Sequence, residues 1–293
     1  MSDAKLIIPP TATVRLDSDA LVSNWRALDQ MSGQAKAGAA VKSNAYGLGV
    51  REVVERLMAV GCKDFFVANW QEAQEIEDLT AGKAGVSVLN GVRKADLPFA
   101  IQSPAKPVLN SLEQVQRWKS SGRPCDIMIN SGMNRLGINL DDLDSSLVRG
   151  MSVDMVMSHL QRPALVDVIR QVAIPQAEII QVRALRAGDR LGYNAQYIAA
   201  EPHNVGILAM GYADGYLRGF SNSGMFMHED IVLPVLGRVS MDLIAIDLSA
   251  APYLAEGDWV ACEYDLEIAS AQSGLSQYEL ITGLGNRLAR EWT

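Results

Sequence analysis

Cysteine is scarce in this chain, three in 293 residues, and Cys62, Cys125 and Cys262 lie far apart. They have neither the paired spacing of a zinc site nor the density of a disulfide framework, so reduced, buried thiols are expected. Long apolar runs are missing too. Nothing approaches the roughly 18 residues of a membrane span, and Met1 to Pro10 lacks the basic start and apolar stretch of a signal peptide. A soluble, cytoplasmic protein is expected. Basic clusters are also absent: 26 Lys and Arg stand against 34 Asp and Glu, a net charge of −8. That balance argues against nonspecific nucleic-acid binding, which needs clustered cations to displace counterions. What is present is an ordinary globular composition, 48% hydrophobic and 20% charged, long enough for one large or two ordinary domains.

The pattern along the chain changes once. After a short strand at Thr13 to Asp17 and a helix with Leu21, Trp25 and Leu28 at helical spacing, apolar strand candidates recur. They fall at Ala37 to Val41, Phe65 to Ala68, Val86 to Leu89, Pro107 to Leu109, Asp126 to Ile129 and Met155 to Met157. Helical candidates lie between them at Arg51 to Ala59, Gln71 to Leu79, Leu112 to Lys119 and Leu140 to Val148. This alternation predicts a parallel sheet or barrel. Beyond about residue 172 the candidates become short strands separated by turns such as Ala187-Gly188-Asp189 and Glu256-Gly257-Asp258, with one short helix at Ser276 to Leu284. That grammar predicts a separate β-rich domain. The expected division is a barrel-like domain over 18–172 and a β domain over 173–293.

Lys42 is the most informative single residue. It ends an apolar strand and precedes a turn rich in Asn and Gly, Ser43-Asn44-Ala45-Tyr46-Gly47-Leu48-Gly49, before a helical pattern. That places it at the carboxyl edge of a βα unit, where barrel enzymes keep their chemistry. Taken locally, it reads either as a surface lysine ending a strand or as an amine suited to form a Schiff base or act as a base.

Segments spread along the chain resemble, in order, those of the alanine racemases, pyridoxal-phosphate enzymes with a barrel and a β domain. They are Ala39 to Gly49, Asn130 to Gly137, Ser158-His159-Leu160, Gly192 to Tyr197, Gly211 to Tyr216, Gly237 to Asp242 and Gly285 to Arg290. The resemblance implies that the strand 11–17 joins the β domain. It implies that Lys42 holds pyridoxal 5'-phosphate and acts as base on one face of the substrate. Tyr193 would be the second base, contributed by the partner subunit of a homodimer, with His159 as its hydrogen-bonded neighbour. Arg135 would contact the cofactor's phenolic oxygen and the substrate carboxylate, and Tyr46 the phosphate. Met241 would lend its backbone N–H to the substrate carboxylate across the dimer interface, and Tyr212 and Asp214 would lie near the entrance. The expected activity is interconversion of L- and D-alanine, supplying D-alanine for peptidoglycan.

Departures from the family pattern accompany the matches. Met128 stands where many relatives carry a carbamylated lysine, and Asn286 where they carry a phosphate-contacting tyrosine. The family's barrel has eight strands, whereas the sequence yields six candidates before the β domain opens. The missing pair carries an Asn-Ser phosphate segment and an arginine facing the pyridine nitrogen. An incomplete (β/α) barrel of about six units followed by an all-β domain is therefore expected. Its open edges would need cover. Two further readings stay open: a catalytically impaired or non-catalytic relative, and a racemase for another amino acid.

Overall fold

A computed structural model describes residues 8–159, 171–192, 196–262 and 265–293. The chain divides into two compact units, Asp19–Arg170 and Met1–Ser18 together with Gln171–Thr293. The first strand, β1 (Ala12–Leu16), belongs to the second of these.

The Asp19–Arg170 unit is built on six parallel strands that lie in chain order: β2 (Ala39–Ala40), β3 (Asp64–Val67), β4 (Gly85–Val88), β5 (Lys106–Leu109), β6 (Cys125–Ile129) and β7 (Val153–Ser158). The longer helices between them bury one stripe each. In Val50–Ala59 the stripe is Val50, Val53, Val54 and Leu57, the spacing that 3.6 residues per turn demands. Trp118, on the helix Leu112–Lys119, is fully buried and satisfies its indole N–H on the Pro124 carbonyl at 3.2 Å. Asn69 caps the helix Trp70–Glu75 by accepting from the Glu72 N–H at 3.0 Å. Asn69→Ala is expected to cost about 1 kcal/mol, read as a small loss in thermal unfolding midpoint. An unchanged midpoint would show that the cap contributes nothing.

Two helices predicted as continuous are broken. Gln71 to Leu79 divides at Ile76 (φ −112°, ψ 5°), whose fully buried side chain is served by the break, giving Trp70–Glu75 and Glu77–Thr80. Leu140 to Val148 divides because Ser145 accepts from the Val148 N–H and starts a fresh turn, Ser146–Arg149, after a 3-10 turn at Leu140–Asp142.

The sheet is six strands wide rather than eight, and its margins differ from its centre. β6 is buried from Cys125 to Met128, as a parallel strand covered on both faces should be. Its neighbour β7 alternates half-buried with exposed residues, and Val156 is 59% exposed. Among the described residues, β2 and β7 are edge strands, so the barrel is incomplete. A buried ion pair stiffens the sheet: Asp126 on β6, fully buried, accepts from the Ser87 hydroxyl on β4 at 2.6 Å and meets the Lys106 ammonium on β5 at 3.0 Å.

The other unit is a closed antiparallel barrel. Its strands are β8 (Ala173–Leu185), β9 (Arg190–Leu191), β10 (Tyr197–Ile198), β11 (His203–Leu208), β12 (Met225–His228), β13 (Ile231–Leu236), β14 (Ile244–Asp247), β15 (Trp259–Cys262) and β16 (Ala289–Trp292). The ring runs β8-β11-β14-β13-β12-β15 and returns to β8, because that 13-residue strand pairs with β15 along one half and β11 along the other. Closure removes the free edges. β1 adds to β8 antiparallel and to β16 parallel. Alternate residues, Ile179, Val205, Leu233 and Ile246 among them, fill the interior. This unit also holds a helix absent from the sequence reading, Leu266–Ser273, started by Asp265. It buries only Ala269, so it has no apolar stripe to detect.

Candidate active site

Lys42 lies two residues past the end of β2, after Val41, and is half-buried. Just before it, the Val41 N–H donates to the Phe66 carbonyl at 2.8 Å, holding the strand end against β3. The next four residues, Ser43, Asn44, Ala45 and Tyr46, all take positive φ between 52° and 56°, a turn of left-handed helix without glycine. Each such residue costs roughly 1–2 kcal/mol, so the turn exists only because its surroundings hold it. Asn44 Oδ1 accepts from the Val50 N–H at 2.7 Å, and Glu72 Oε1 accepts from the Ser43 N–H at 2.9 Å. The Lys42 ammonium has no hydrogen-bond or ion-pair partner among the described residues and lies 6.0 Å from the centroid of the Tyr46 ring. Strained backbone beside an uncommitted amine is a signature of a functional site.

Arg135 sits in a second irregular segment, after β6. Asn130 organises it: its Oδ1 accepts from the Gly132 and Asn134 N–H groups, each at 3.1 Å, and its Nδ2 donates to Asn134 and Asn139. The loop returns to the sheet at Ile138, whose N–H donates to the Met128 carbonyl at 2.8 Å. Glycine is required at 137, where φ is +116° and a Cβ would lie 2.5 Å from the Asn130 nitrogen. Arg135 is exposed, has no ion-pair partner among the described residues, and lines an open hollow of about 380 Å³ with Asn110, Asn134 and Leu136. A guanidinium without a carboxylate can receive an anionic ligand.

His159, one residue past β7, is exposed, and its carbonyl accepts from the Ser131 hydroxyl at 3.3 Å, tying it to the Arg135 loop. Met128, at the position of the family's carbamylated lysine, is buried in β6. Tyr193 lies outside the described residues.

Met241 and Asn286 fall in the β unit, both exposed. The turn carrying Met241 is fixed on one side by the Ala213 N–H donating to the Met241 carbonyl at 3.1 Å and the Tyr212 N–H to the Ser240 carbonyl at 3.0 Å. Only glycine allows this approach at 211, where a Cβ would meet the Met241 oxygen at 2.4 Å. The Met241 N–H has no acceptor among the described residues. Asn286 is followed by Arg287, which binds both oxygens of the buried Asp214 at 2.8 Å and Asp242 at 2.7 Å. Asp214 above all, then Asp242, raises the guanidinium further above its ordinary range. One arginine thereby joins the segments at 211–216, 237–242 and 285–290, a role that nothing local in the sequence marks. The Tyr212 ring stacks on Arg218, 4.8 Å from ring centroid to guanidinium carbon.

Among the described residues no group of acidic, His or Cys side chains could hold a metal ion, and no helix is long and apolar enough to cross a membrane. The sequence profile of the alanine racemase N-terminal domain matches residues 16–198, and that of the C-terminal domain residues 172–292. The chain belongs to the alanine racemase family. A catabolic alanine racemase of Agrobacterium fabrum is 30% identical over 352 residues, covering 94% of this chain and 91% of the relative. An alanine racemase of Cereibacter sphaeroides is 28% identical over 342 residues, covering 96% and 98%. The crystal structure of the Bartonella henselae alanine racemase with covalently bound pyridoxal phosphate aligns with a TM-score of 0.88 at 26% identity, covering 97% of this chain and all of that one. The first alignment runs 352 positions against a chain of 293, so at least 59 of them have no residue here. An alanine racemase fold with fewer barrel strands accounts for that difference.

Proposed function

We infer that this chain interconverts L-alanine and D-alanine with pyridoxal 5'-phosphate, supplying D-alanine for peptidoglycan. The carrying observation is Lys42: an amine without a hydrogen-bond or ion-pair partner among the described residues, at the carboxyl end of β2, presented by a strained turn. The residues present fit the cofactor, since the Lys42 amine suits its aldehyde, the Tyr46 phenol its phosphate, and the Arg135 cation, without an ion-pair partner among the described residues, its phenolic oxygen. When bound, the pyridoxal ring acts as an electron sink for the pair left at the substrate Cα. The protein's part is orientation and proton transfer. Lys42 Nζ takes or returns the Cα proton on one face, and Tyr193, from the partner subunit of a homodimer, does so on the other. A phenol near its ordinary pKa of about 10 is a poor base at neutral pH, and His159 is assigned as its hydrogen-bonded neighbour. Arg135 and, across the dimer interface, the Met241 N–H hold the substrate carboxylate, and Asn286 offers an amide towards the phosphate. The barrel domain over 18–172 carries the cofactor and the β domain over 173–293 the second base, in a cytoplasmic enzyme acting on a small amino acid and not on nucleic acid.

Arg135→Lys keeps a charge but loses the planar fork, so KM for alanine is expected to rise roughly tenfold, read in steady-state assays. An unchanged KM would remove Arg135 from the carboxylate. The test of the whole reading is an absorption spectrum with pyridoxal phosphate, borohydride reduction and mass mapping of the Lys42 peptide, followed by racemisation assays on alanine, serine, lysine and arginine. An adduct on Lys42 with alanine preferred supports it, and faster turnover of a larger substrate would move the assignment to that amino acid. The open margin at β7 favours one other reading, a relative that keeps the fold without the chemistry. A folded protein giving no adduct would select it.

A further inference from the structure

We propose that Glu72 is a positioning residue for Lys42, holding the left-handed turn that aims the lysine amine. The inference rests on the reading of Lys42 as the cofactor amine. Glu72 lies in the first turn of the helix that follows β3, and each of its carboxylate oxygens takes a backbone N–H. Oε1 accepts from Ser43 at 2.9 Å and Oε2 from Ala68 at 2.7 Å. Ser43 is the residue immediately after Lys42 and the first of the four with positive φ. Ala68 is the residue immediately after β3. One carboxylate therefore ties the turn leaving β2 to the end of the adjacent strand, through two charge-assisted bonds.

The helix does not need Glu72 for its own start. Asn69 is the residue that caps it, accepting the Glu72 N–H, so the carboxylate has one oxygen for the turn and one for Ala68. Of Ser, Asn, Ala and Tyr only Asn visits the left-handed region readily, and then as a single residue, so only an over-determined environment keeps a run of four in place. The acceptor must also be a carboxylate. A glutamine would aim its NH₂ at one of two N–H groups, donor against donor, and lose that bond.

The test compares Glu72→Gln with Asn69→Ala, which weakens the same helix without touching Ser43. Two quantities are read on the full chain: the rate at which pyridoxal phosphate is trapped on Lys42 by borohydride, and hydrogen exchange of residues 42–46 in cofactor-free protein. Glu72→Gln is expected to slow trapping and speed exchange by roughly tenfold or more, the effect of one lost hydrogen bond to a charged group. Asn69→Ala is expected to leave both near wild type. Adding Ser43→Gly to Glu72→Gln should restore trapping to within about threefold, because glycine adopts positive φ without being held. Glu72→Asp, too short to reach both N–H groups, should fall between and serves if the glutamine variant does not fold. Wild-type trapping in Glu72→Gln, equal slowing in Asn69→Ala, or no rescue by glycine would each overturn the proposal. A wild-type protein that forms no Lys42 adduct, yet loses protection over 42–46 on Glu72→Gln, would sink the cofactor reading and leave the role of Glu72 in the turn standing.

Discussion

Lys42→Ala is expected to abolish racemisation, lowering kcat/KM roughly 10⁴-fold or more, the upper range for removing a proton-transfer group that also anchors the reacting assembly. The loss should be complete because, among the described residues, no other lysine on a strand of this sheet is free to take over. Lys106, on the same sheet, begins β5 at the amino end and is committed to Asp126 at 3.0 Å and Asp154 at 3.1 Å. Lys42 has no such partner among the described residues, so its removal leaves no buried charge exposed and no bond broken. The variant should unfold within about 2 °C of wild type, since an uncommitted, half-exposed side chain is a near-neutral site for stability. Steady-state kinetics in both directions, with thermal unfolding and mass mapping after borohydride, check this. Residual activity above one part in a hundred, or an adduct on any other lysine, would take Lys42 out of its assigned role.

The position of Lys42 was legible in the sequence because it depends on short-range pattern alone: an apolar strand, a turn, then a helix. The parallel order of β2 to β7 was legible for the same reason, and so was the change to short strands after residue 172. What could not be read was whatever depends on partners far along the chain. Nothing local marks Ser43 to Tyr46 as left-handed, since none of the four is glycine, and the carboxylate that receives Ser43 is 29 residues away. Asp214 and Arg287 are 73 residues apart, so their pairing appears only once the barrel closes. The helix Leu266–Ser273 escaped because a helix with one buried residue has no periodicity. The count of barrel strands, by contrast, was legible as a shortage of sequence, and the exposed side chains of β7 are its structural counterpart.

Asp214→Ala is expected to be the most destabilising of the substitutions considered, by about 3 kcal/mol. The carboxylate is buried and serves three donors: Arg287 Nε and Nη2 at 2.8 Å each, and the Gly211 N–H at 2.9 Å. Alanine leaves the Gly211 donor unsatisfied in a buried place and frees Arg287 to swing out. Since Arg287 is half exposed, water recovers part of its loss, which keeps the cost below that of breaking a fully buried pair. Asp242→Ala is the comparison. It removes the third contact of the same guanidinium, but Asp242 is 56% exposed, and exposed pairs contribute at most about 1 kcal/mol. The ratio matters more than either value, because it tests whether the cluster works through the buried carboxylate or through charge alone. Denaturant unfolding of both variants at low and high salt separates the two. A large, salt-insensitive loss for Asp214→Ala beside a small, salt-sensitive one for Asp242→Ala is the expected result. Equal losses would mean that the three segments are held by net attraction and not by the bidentate geometry. The same geometry sets the place of the Met241 N–H, so Asp214→Ala should also raise KM for alanine more than it lowers kcat.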